Sequence, residues 1–115
     1  MAKLRTKRVY DGLSKEDGQG VLVDRLWPRG ISKAKLKGVI WLKDIAPSND
    51  LRKWYHAHLG ERAEFRRRYF AELKKRPEAI AELRALARKE RVTLLYASKE
   101  LETNNATVLA EFLGK

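Results

Sequence analysis

Residues 20–30 read GVLVDRLWPRG, a short apolar run that leads into an acid, two arginines and a tryptophan. Val21 to Val23 are apolar at consecutive positions between Gly20 and this polar cluster, which is typical of a strand that a parallel sheet buries on both faces. Open α/β sheets bind their ligands in the crevice beyond the carboxyl ends of the strands. The polar residues after Val23 therefore mark the place where we expect a functional site.

Three further segments have the composition of strands. Residues 92–97 read VTLLYA and are the clearest, because they are almost wholly apolar and rich in residues that favour strands. Residues 4–10 and 39–42 are the other two predicted strands. The carboxyl ends of parallel strands share one edge of a sheet, so the residues that follow Val23 and Ala97 are expected to lie close together.

Helical patterns separate the predicted strands. Ser32 can cap a short helix through Leu36, and Gly38 can end it in the left-handed conformation. Ser48 can cap a helix that runs to Gly60, and further helices are predicted over residues 61–75, from Pro77, and after a cap at Thr103. This alternation predicts a single three-layer α/β domain over residues 1–115, with a small, mainly parallel sheet flanked by helices.

The composition limits the classes of partner and chemistry. The 115 residues carry a net charge of +11 with a pI near 10.1, which favours an anionic partner: nucleic acid, a phosphorylated metabolite or an acidic protein. The excess of cations can also serve solubility alone. There is no cysteine, which excludes disulfides, thiolate metal sites and a cysteine nucleophile. No apolar run reaches the ~18 residues of a membrane span, so we expect a cytoplasmic protein that does not enter membranes.

The polar residues at the two strand ends form a candidate ligand site. A helix that begins near Thr103 would point its unpaired N–H groups at the same edge, and such a helix end favours phosphate-sized anions. Trp27 could stack on a ring or base of the ligand. The residues predicted to surround a small anionic ligand are Asp24, Arg25, Trp27, Arg29, Ser98, Asn104 and Asn105.

Each of these residues also has a purely structural interpretation. Asp24 and Arg25 can form a buried pair that holds the loop, and Trp27 can pack in the core, as we expect of Trp41 and Trp54. Asn104 and Asn105 can cap their own helix. The site hypothesis therefore depends on several weak signals that converge on one edge of the sheet.

A second hypothesis uses the basic helix over residues 61–75. Its cations could bind phosphate backbones without reading base sequence. Glutamates are interleaved with them, so the sequence favours an ion-paired, solvated helix face over this binding surface. The residues of this alternative nucleic-acid surface are Arg62, Arg66, Arg67 and Lys74.

The sequence offers little support for catalysis or metal binding. His56 and His58 are two positions apart on a predicted helix, so their side chains diverge by about 200° and cannot share a metal ion. The pair Ser98-Lys99 is weak evidence for a nucleophile and its base. We predict no metal site and no cofactor, and the residues leave open both enzymatic activity and oligomeric state.

Several motifs together resemble the Domain of Unknown Function 488 family, in its YeaO-like branch. The most specific motif is DRLWPRG at residues 24–30, and the resemblance extends over essentially the whole chain. The other matching segments are 41–43, 46–48, 51–54, 65–69, 72–73, 92–96, 105–106 and 108–109.

The resemblance implies a small, cytoplasmic, single-domain α/β protein of bacteria or archaea without an established activity. Other branches carry a Cys-His-Arg motif at the positions of Asn104, Asn105 and Ala106, so the chemistry of that cysteine and histidine does not carry over, whereas Asp24-Arg25 does. Three functions follow: binding of a phosphorylated or nucleotide-like anion at the strand edge, with or without catalysis; nucleic-acid binding or regulation through the basic helix; and a protein interaction module.

Overall fold

The computed structural model describes residues 4–114 and confirms the α/β class. Its strands are β1 (Leu4–Arg8), β2 (Gln19–Leu22), β3 (Ile40–Trp41) and β4 (Val92–Tyr96). Its helices are α1 (Asn49–Ala57), α2 (Arg62–Lys74), α3 (Pro77–Lys89) and α4 (Asn105–Leu113). Short 3₁₀ turns lie at Val9–Asp11, Lys15–Asp17 and Lys43–Ile45.

The strands form one parallel sheet in the order β1-β4-β2-β3. In this register Val21 and Leu22 of β2 pair with Leu94 and Leu95 of β4. Every residue of β4 is buried, which explains why its sequence is apolar without alternation. The two apolar runs that the sequence indicates most clearly are therefore the two central strands.

The two edge strands are shorter than their apolar runs suggest. β1 ends at Arg8 because Val9 already belongs to a 3₁₀ turn, and β3 has only two residues of the predicted 39–42. An edge strand has a neighbour on one side only, so side-chain packing can end its pairing early. Residues 1–3 and 115 of the predicted domain lie outside the described residues.

The helices described within residues 4–114 cover one face of the sheet, which we call the helical face. A single core cluster joins Val21, Val92 and Leu94 of the sheet to residues of α1, α2, α3 and α4. Trp54 packs against this cluster while staying half-buried, which agrees with its predicted packing role. Ser48 caps α1 as predicted, since its Oγ accepts a hydrogen bond from the Leu51 N–H at 3.1 Å.

The opposite face of the sheet, the loop face, is covered by segments 9–18 and 24–39. Leu22 and Leu95 pack there against buried Leu36 and half-buried Trp27 and Trp41. The third layer of the domain is thus irregular chain. A Cβ at Gly20 would lie 2.8 Å from Leu13 Cδ1, so the absence of a side chain at Gly20 lets Leu13 pack close to the sheet.

The predicted helix from Ser32 to Leu36 is wrong, because residues 33–38 form successive turns. Their hydrogen bonds link residues three apart, for example from the Leu36 N–H to the Lys33 carbonyl at 3.2 Å. Exposed lysines alternate with Ala34 and Leu36 here, and this spacing gives a helix no continuous apolar side. Gly38 does adopt the predicted positive φ, at 86°.

The N-cap of α4 is Asn104, one residue after the predicted Thr103. Its side chain accepts a hydrogen bond from the Thr107 N–H at 2.9 Å, and Thr107 Oγ1 accepts one from the Asn104 N–H at 2.9 Å. This reciprocal pair satisfies two N–H groups of the helix start. The Thr103 carbonyl instead accepts a hydrogen bond from the Tyr55 hydroxyl.

Candidate functional site

The chain leaves the adjacent central strands β2 and β4 toward opposite faces of the sheet. After β4 it enters α4 on the helical face, and after β2 it crosses the loop face. This change of side between two adjacent strands is the topological switch point of the sheet, and open α/β folds form their ligand crevice there. The predicted location of the site therefore coincides with this switch point.

Asp24 and Asn105 meet across the switch point. Asn105 Nδ2 donates to Asp24 Oδ1 at 2.7 Å and to the Val23 carbonyl at 2.8 Å, while the Ala97 N–H donates to Asp24 Oδ2 at 2.9 Å. Burial raises the pKa of the Asp24 carboxyl, and these neutral donors offset that effect in part. Both oxygens of Asp24 thus bond to the protein itself and tie β2, β4 and α4 together.

Ser98 and Asn104 lie at the same edge and also serve the local structure. Ser98 Oγ accepts a hydrogen bond from the Glu100 N–H at 3.0 Å, and its carbonyl accepts one from Arg8 Nε. Asn104 is only 2% exposed, and its Nδ2 donates to the Glu100 carbonyl. The capping interpretation holds for Asn104, whereas Asn105 links the helix to Asp24.

Arg25 points away from Asp24, and the two form no ion pair in residues 4–114. Its guanidinium donates to the Pro47 and Ala46 carbonyls, at 2.9 and 3.2 Å. It also lines an open cleft of about 430 Å³. The cleft carries both signs of charge, its other lining residues being Asp44, Lys75, Arg76, Pro77, Glu78 and Ala79.

Trp27 packs within the loop layer instead of facing the strand edge. Its Nε1 donates to the Ile31 carbonyl at 2.6 Å, and its ring meets that of Trp41 edge-on at 5.3 Å. Trp41 Nε1 in turn donates to the Asp24 carbonyl at 2.7 Å. The structural interpretation of Trp27 thus agrees with its contacts, and Trp41, which sequence reasoning assigned only to packing, positions the residue at the switch point.

The arginines of the basic helix α2 are held in ion pairs. Arg62 bridges Glu100 and Glu102, and Arg66 makes a bidentate pair with Glu111 at 2.8 and 2.7 Å. Arg67 and Arg68 share Glu64, which lowers the pKa of the Glu64 carboxyl to about 2. Of the four residues in the alternative nucleic-acid surface, Lys74 alone makes no ion pair within residues 4–114.

The loop face carries cations of a different kind. The sequence contains no acid between Asp24 and Asp44. The side chains of four exposed cations in this interval form no ion pair, hydrogen bond or aromatic contact with residues 4–114, and we call them the loop-face cations: Arg29, Lys33, Lys35 and Lys37. The fifth exposed cation of the interval, Lys43, lies over the Trp41 ring, with its Nζ 4.6 Å from the ring centroid. Sequence reasoning singled out Arg29 and missed the three lysines, although the acid-free interval is visible in the sequence.

Two further properties concern metals and membranes. The part of the chain that the structure describes holds no cluster of three or more His, Asp or Glu side chains suited to a metal ion. His58 instead stacks on Trp54, with ring centroids 4.8 Å apart. Within residues 4–114 no helix combines the length and apolarity needed to cross a membrane.

Comparison with known proteins places the chain in a family. The family described as the inactive DUF488-N3 subclade matches residues 3–115. The uncharacterized protein YeaO of Escherichia coli K12 is 44% identical over 110 residues, which cover 96% of each chain. The uncharacterized protein Mb3100c of Mycobacterium bovis is 46% identical over 113 residues, which cover 97% of this chain and 94% of that protein.

No solved structure matches the chain significantly. The family match and the relatives agree in extent, since each spans nearly the whole sequence. The chain therefore belongs to the DUF488 family, in its YeaO-like branch and in the subclade described as inactive.

Proposed function

We propose that this protein binds nucleic acid through its loop face and performs no catalysis of its own. The observation that carries the proposal is the set of loop-face cations, which are exposed and have no acidic partner in residues 4–114. Phosphate backbones supply the missing negative charge, and binding releases their condensed counterions. The partner class is that of the second sequence hypothesis, while the surface lies on the opposite side of the sheet.

The arrangement of the cations favours a polymer over a small anion. Lys33, Lys35 and Lys37 alternate along an exposed run of turns, and none of them lines the cleft beside Arg25. Successive phosphates can contact such a row one after another. Lysine is a point charge on a flexible stem, so we expect binding that depends weakly on base sequence.

The strand-edge site for a small anion has less geometric support. Its centre is the Asp24 carboxylate, and the Asn105 amide that could bind a ligand already donates to Asp24 and Val23. The family description as inactive also agrees with a binding role. Arg29 belongs to both hypotheses, so it cannot distinguish them, whereas the three lysines can.

Fluorescence anisotropy with labelled single-stranded RNA and duplex DNA of increasing length, in a series of KCl concentrations, tests the proposal. Four phosphate contacts predict a slope of log K against log salt of about −2.8 for the single-stranded RNA and about −3.6 for the duplex DNA. The triple variant Lys33→Gln, Lys35→Gln, Lys37→Gln should bind more than tenfold more weakly at low salt, with a slope near −1.

The matched control neutralises three cations elsewhere, as Lys74→Gln, Arg84→Gln, Arg88→Gln, and should bind as the wild type does. Equal losses in both triple variants would show that net charge alone drives binding and would contradict the proposal. Competition by ADP or inorganic phosphate at low concentration, with loss in Asn105→Ala, would favour the strand-edge site instead.

A further inference from the structure

We infer that a groove beside α3 binds an acidic segment of a partner protein that also presents apolar side chains. This groove, the α3 groove, has a volume of about 370 Å³ and lies where α2, α3 and α4 meet. Its lining residues are Leu73, Lys74, Pro77, Ile80, Ala81, Arg84, Arg88 and Phe112. It lies on the helical face, so the inference is independent of the proposed function.

The floor of the groove is apolar and preformed. Leu73 and Ile80 are buried there, at 1% and 5% exposure, and half-buried Phe112 meets Phe70 edge-on at 5.1 Å. Exposed Pro77 and Ala81 complete the apolar surface. A ligand that reaches this floor can bury apolar side chains without rearranging the helices, which lowers the entropic cost of binding.

The rim of the groove is basic. Lys74, Arg84 and Arg88 form no ion pair with residues 4–114, and no acidic residue lines the groove. This separates them from Arg66 and Arg67 on the neighbouring α2, which are paired with glutamates. The rim therefore offers three cations that can bind carboxylates of another molecule.

Helix geometry explains why the acids of α3 do not neutralise this rim. Successive residues of a helix are about 100° apart around its axis, so five residues of α3 share a sector roughly 100° wide that faces the groove: Pro77, Ile80, Ala81, Arg84 and Arg88. Glu78 and Glu82 fall outside that sector, on the adjacent side of the helix. The two acids thus lie away from the groove, and the charged residues that line it are all basic.

Charge and polarity together select the occupant. A nucleic acid would leave the apolar floor uncovered, because phosphates and sugars contact it poorly. An acidic segment with leucine or phenylalanine side chains matches both parts, its carboxylates on the three cations and its apolar groups on the floor. This pattern follows the mode in which an amphipathic segment binds in a hydrophobic groove.

Backbone NMR with the ¹⁵N-labelled full chain tests the inference. The probe is a synthetic peptide of about a dozen residues in which glutamates surround two leucines and a phenylalanine. We expect saturable chemical-shift changes at the backbone amides of Ala81, Arg84 and Phe112. The double variant Arg84→Gln, Arg88→Gln should have a dissociation constant for the peptide at least tenfold larger than that of the wild type.

Control peptides separate charge from apolar contact. The peptide with glutamines for glutamates and the peptide with serines for its apolar residues should each bind at least tenfold more weakly. Ala81→Gln, a substitution at an exposed helical position, should weaken binding several-fold by filling the floor without changing charge. The variant Lys33→Gln, Lys35→Gln, Lys37→Gln should bind the peptide as the wild type does.

Other outcomes would overturn the inference. Shifts confined to the loop face, equal binding of the glutamine peptide, or no shift at millimolar peptide would each exclude an acidic segment as the occupant. Concentration-dependent shifts of the α3 groove without any peptide, together with a dimer in sedimentation, would assign the groove to a second copy of the chain instead.

Discussion

The arginines of α2 and the loop-face cations differ in whether they have acidic partners. On the helical face, four arginines of α2 are paired with glutamates from α2, α4 and the loop before α4: Arg62, Arg66, Arg67 and Arg68. On the loop face, an interval of 19 residues between Asp24 and Asp44 has cations and no acid. The comparison teaches that the density of arginines along a chain does not locate a phosphate-binding surface, because the available charge depends on the acids nearby.

Reversing the loop-face charge gives the largest expected effect on this comparison. The triple variant Lys33→Glu, Lys35→Glu, Lys37→Glu should lose about a hundredfold or more in nucleic-acid affinity at low salt, since phosphate contacts become repulsions. Its thermal unfolding should change little because all three side chains are exposed. Anisotropy and circular dichroism measure the two quantities, and retained affinity would remove the functional difference between the faces.

Asp24 joins the two faces, and its removal should lower stability without lowering affinity. Asp24→Ala leaves the half-buried Ala97 N–H and one Asn105 hydrogen bond without an acceptor, at a cost of about 2 kcal/mol in the free energy of unfolding. Urea denaturation measures this cost. Asn105→Ala should cost a similar amount, and the double variant should cost less than the sum because the two residues share one bond.

A loss of nucleic-acid affinity in Asp24→Ala, at a temperature where the variant is folded, would contradict the separation of the faces. It would show that the switch point takes part in binding. The affinity of Asp24→Ala for the labelled oligonucleotides should therefore equal that of the wild type.

Asp17 is the subject of the third prediction, because it pairs with Arg5 and Lys7 of β1 and so keeps these two cations out of the loop-face set. It binds Lys7 at 2.8 Å and accepts the Ser14 N–H, and these bonds lower the pKa of its carboxyl below 3.8. A lowered folded pKa stabilises the protein above pH 3.8, and this stabilisation is lost as the pH falls through the folded value. Asp24, with its raised pKa, acts in the opposite direction, so its contribution falls as the pH rises above 3.8.

The variant Asp17→Asn should therefore lower the free energy of unfolding by about 1 kcal/mol at pH 6, and this difference should shrink as the pH falls below 3.8. Urea denaturation across this pH range measures the difference. A difference that is independent of pH would assign the role of Asp17 to its shape alone.

The sequence predicts the central part of this fold because burial on both faces leaves a simple pattern. β2 and β4 are apolar at consecutive positions, and their shared edge brings Asp24 and Asn105 together as expected for parallel strands. The turns of residues 33–38 could not be predicted with the same reasoning. Their conformation depends on Leu36 and Trp27 packing against the sheet, which are contacts distant in sequence.

The orientations of the candidate-site side chains also depend on partners that are distant in sequence. Arg25 binds the carbonyls of Ala46 and Pro47, and Arg62 binds glutamates at positions 100 and 102. No local spacing indicates these partners. The Glu64 pairs with Arg67 and Arg68 were visible as i, i+3 and i, i+4 spacings, which is why ion pairing of this helix could be considered from the sequence.

The smallest expected effect comes from making the helical face resemble the loop face. Glu64→Gln releases Arg67 and Arg68 from their shared acid, and the freed guanidiniums can then contact phosphate. We expect a gain of about threefold in affinity at low salt and a steeper salt dependence. Glu78→Gln, which removes an acid that makes no ion pair within residues 4–114, is the matched control for net charge. An equal gain in both variants would mean that ion pairing does not mask the α2 arginines, because long-range charge alone would then explain the increase.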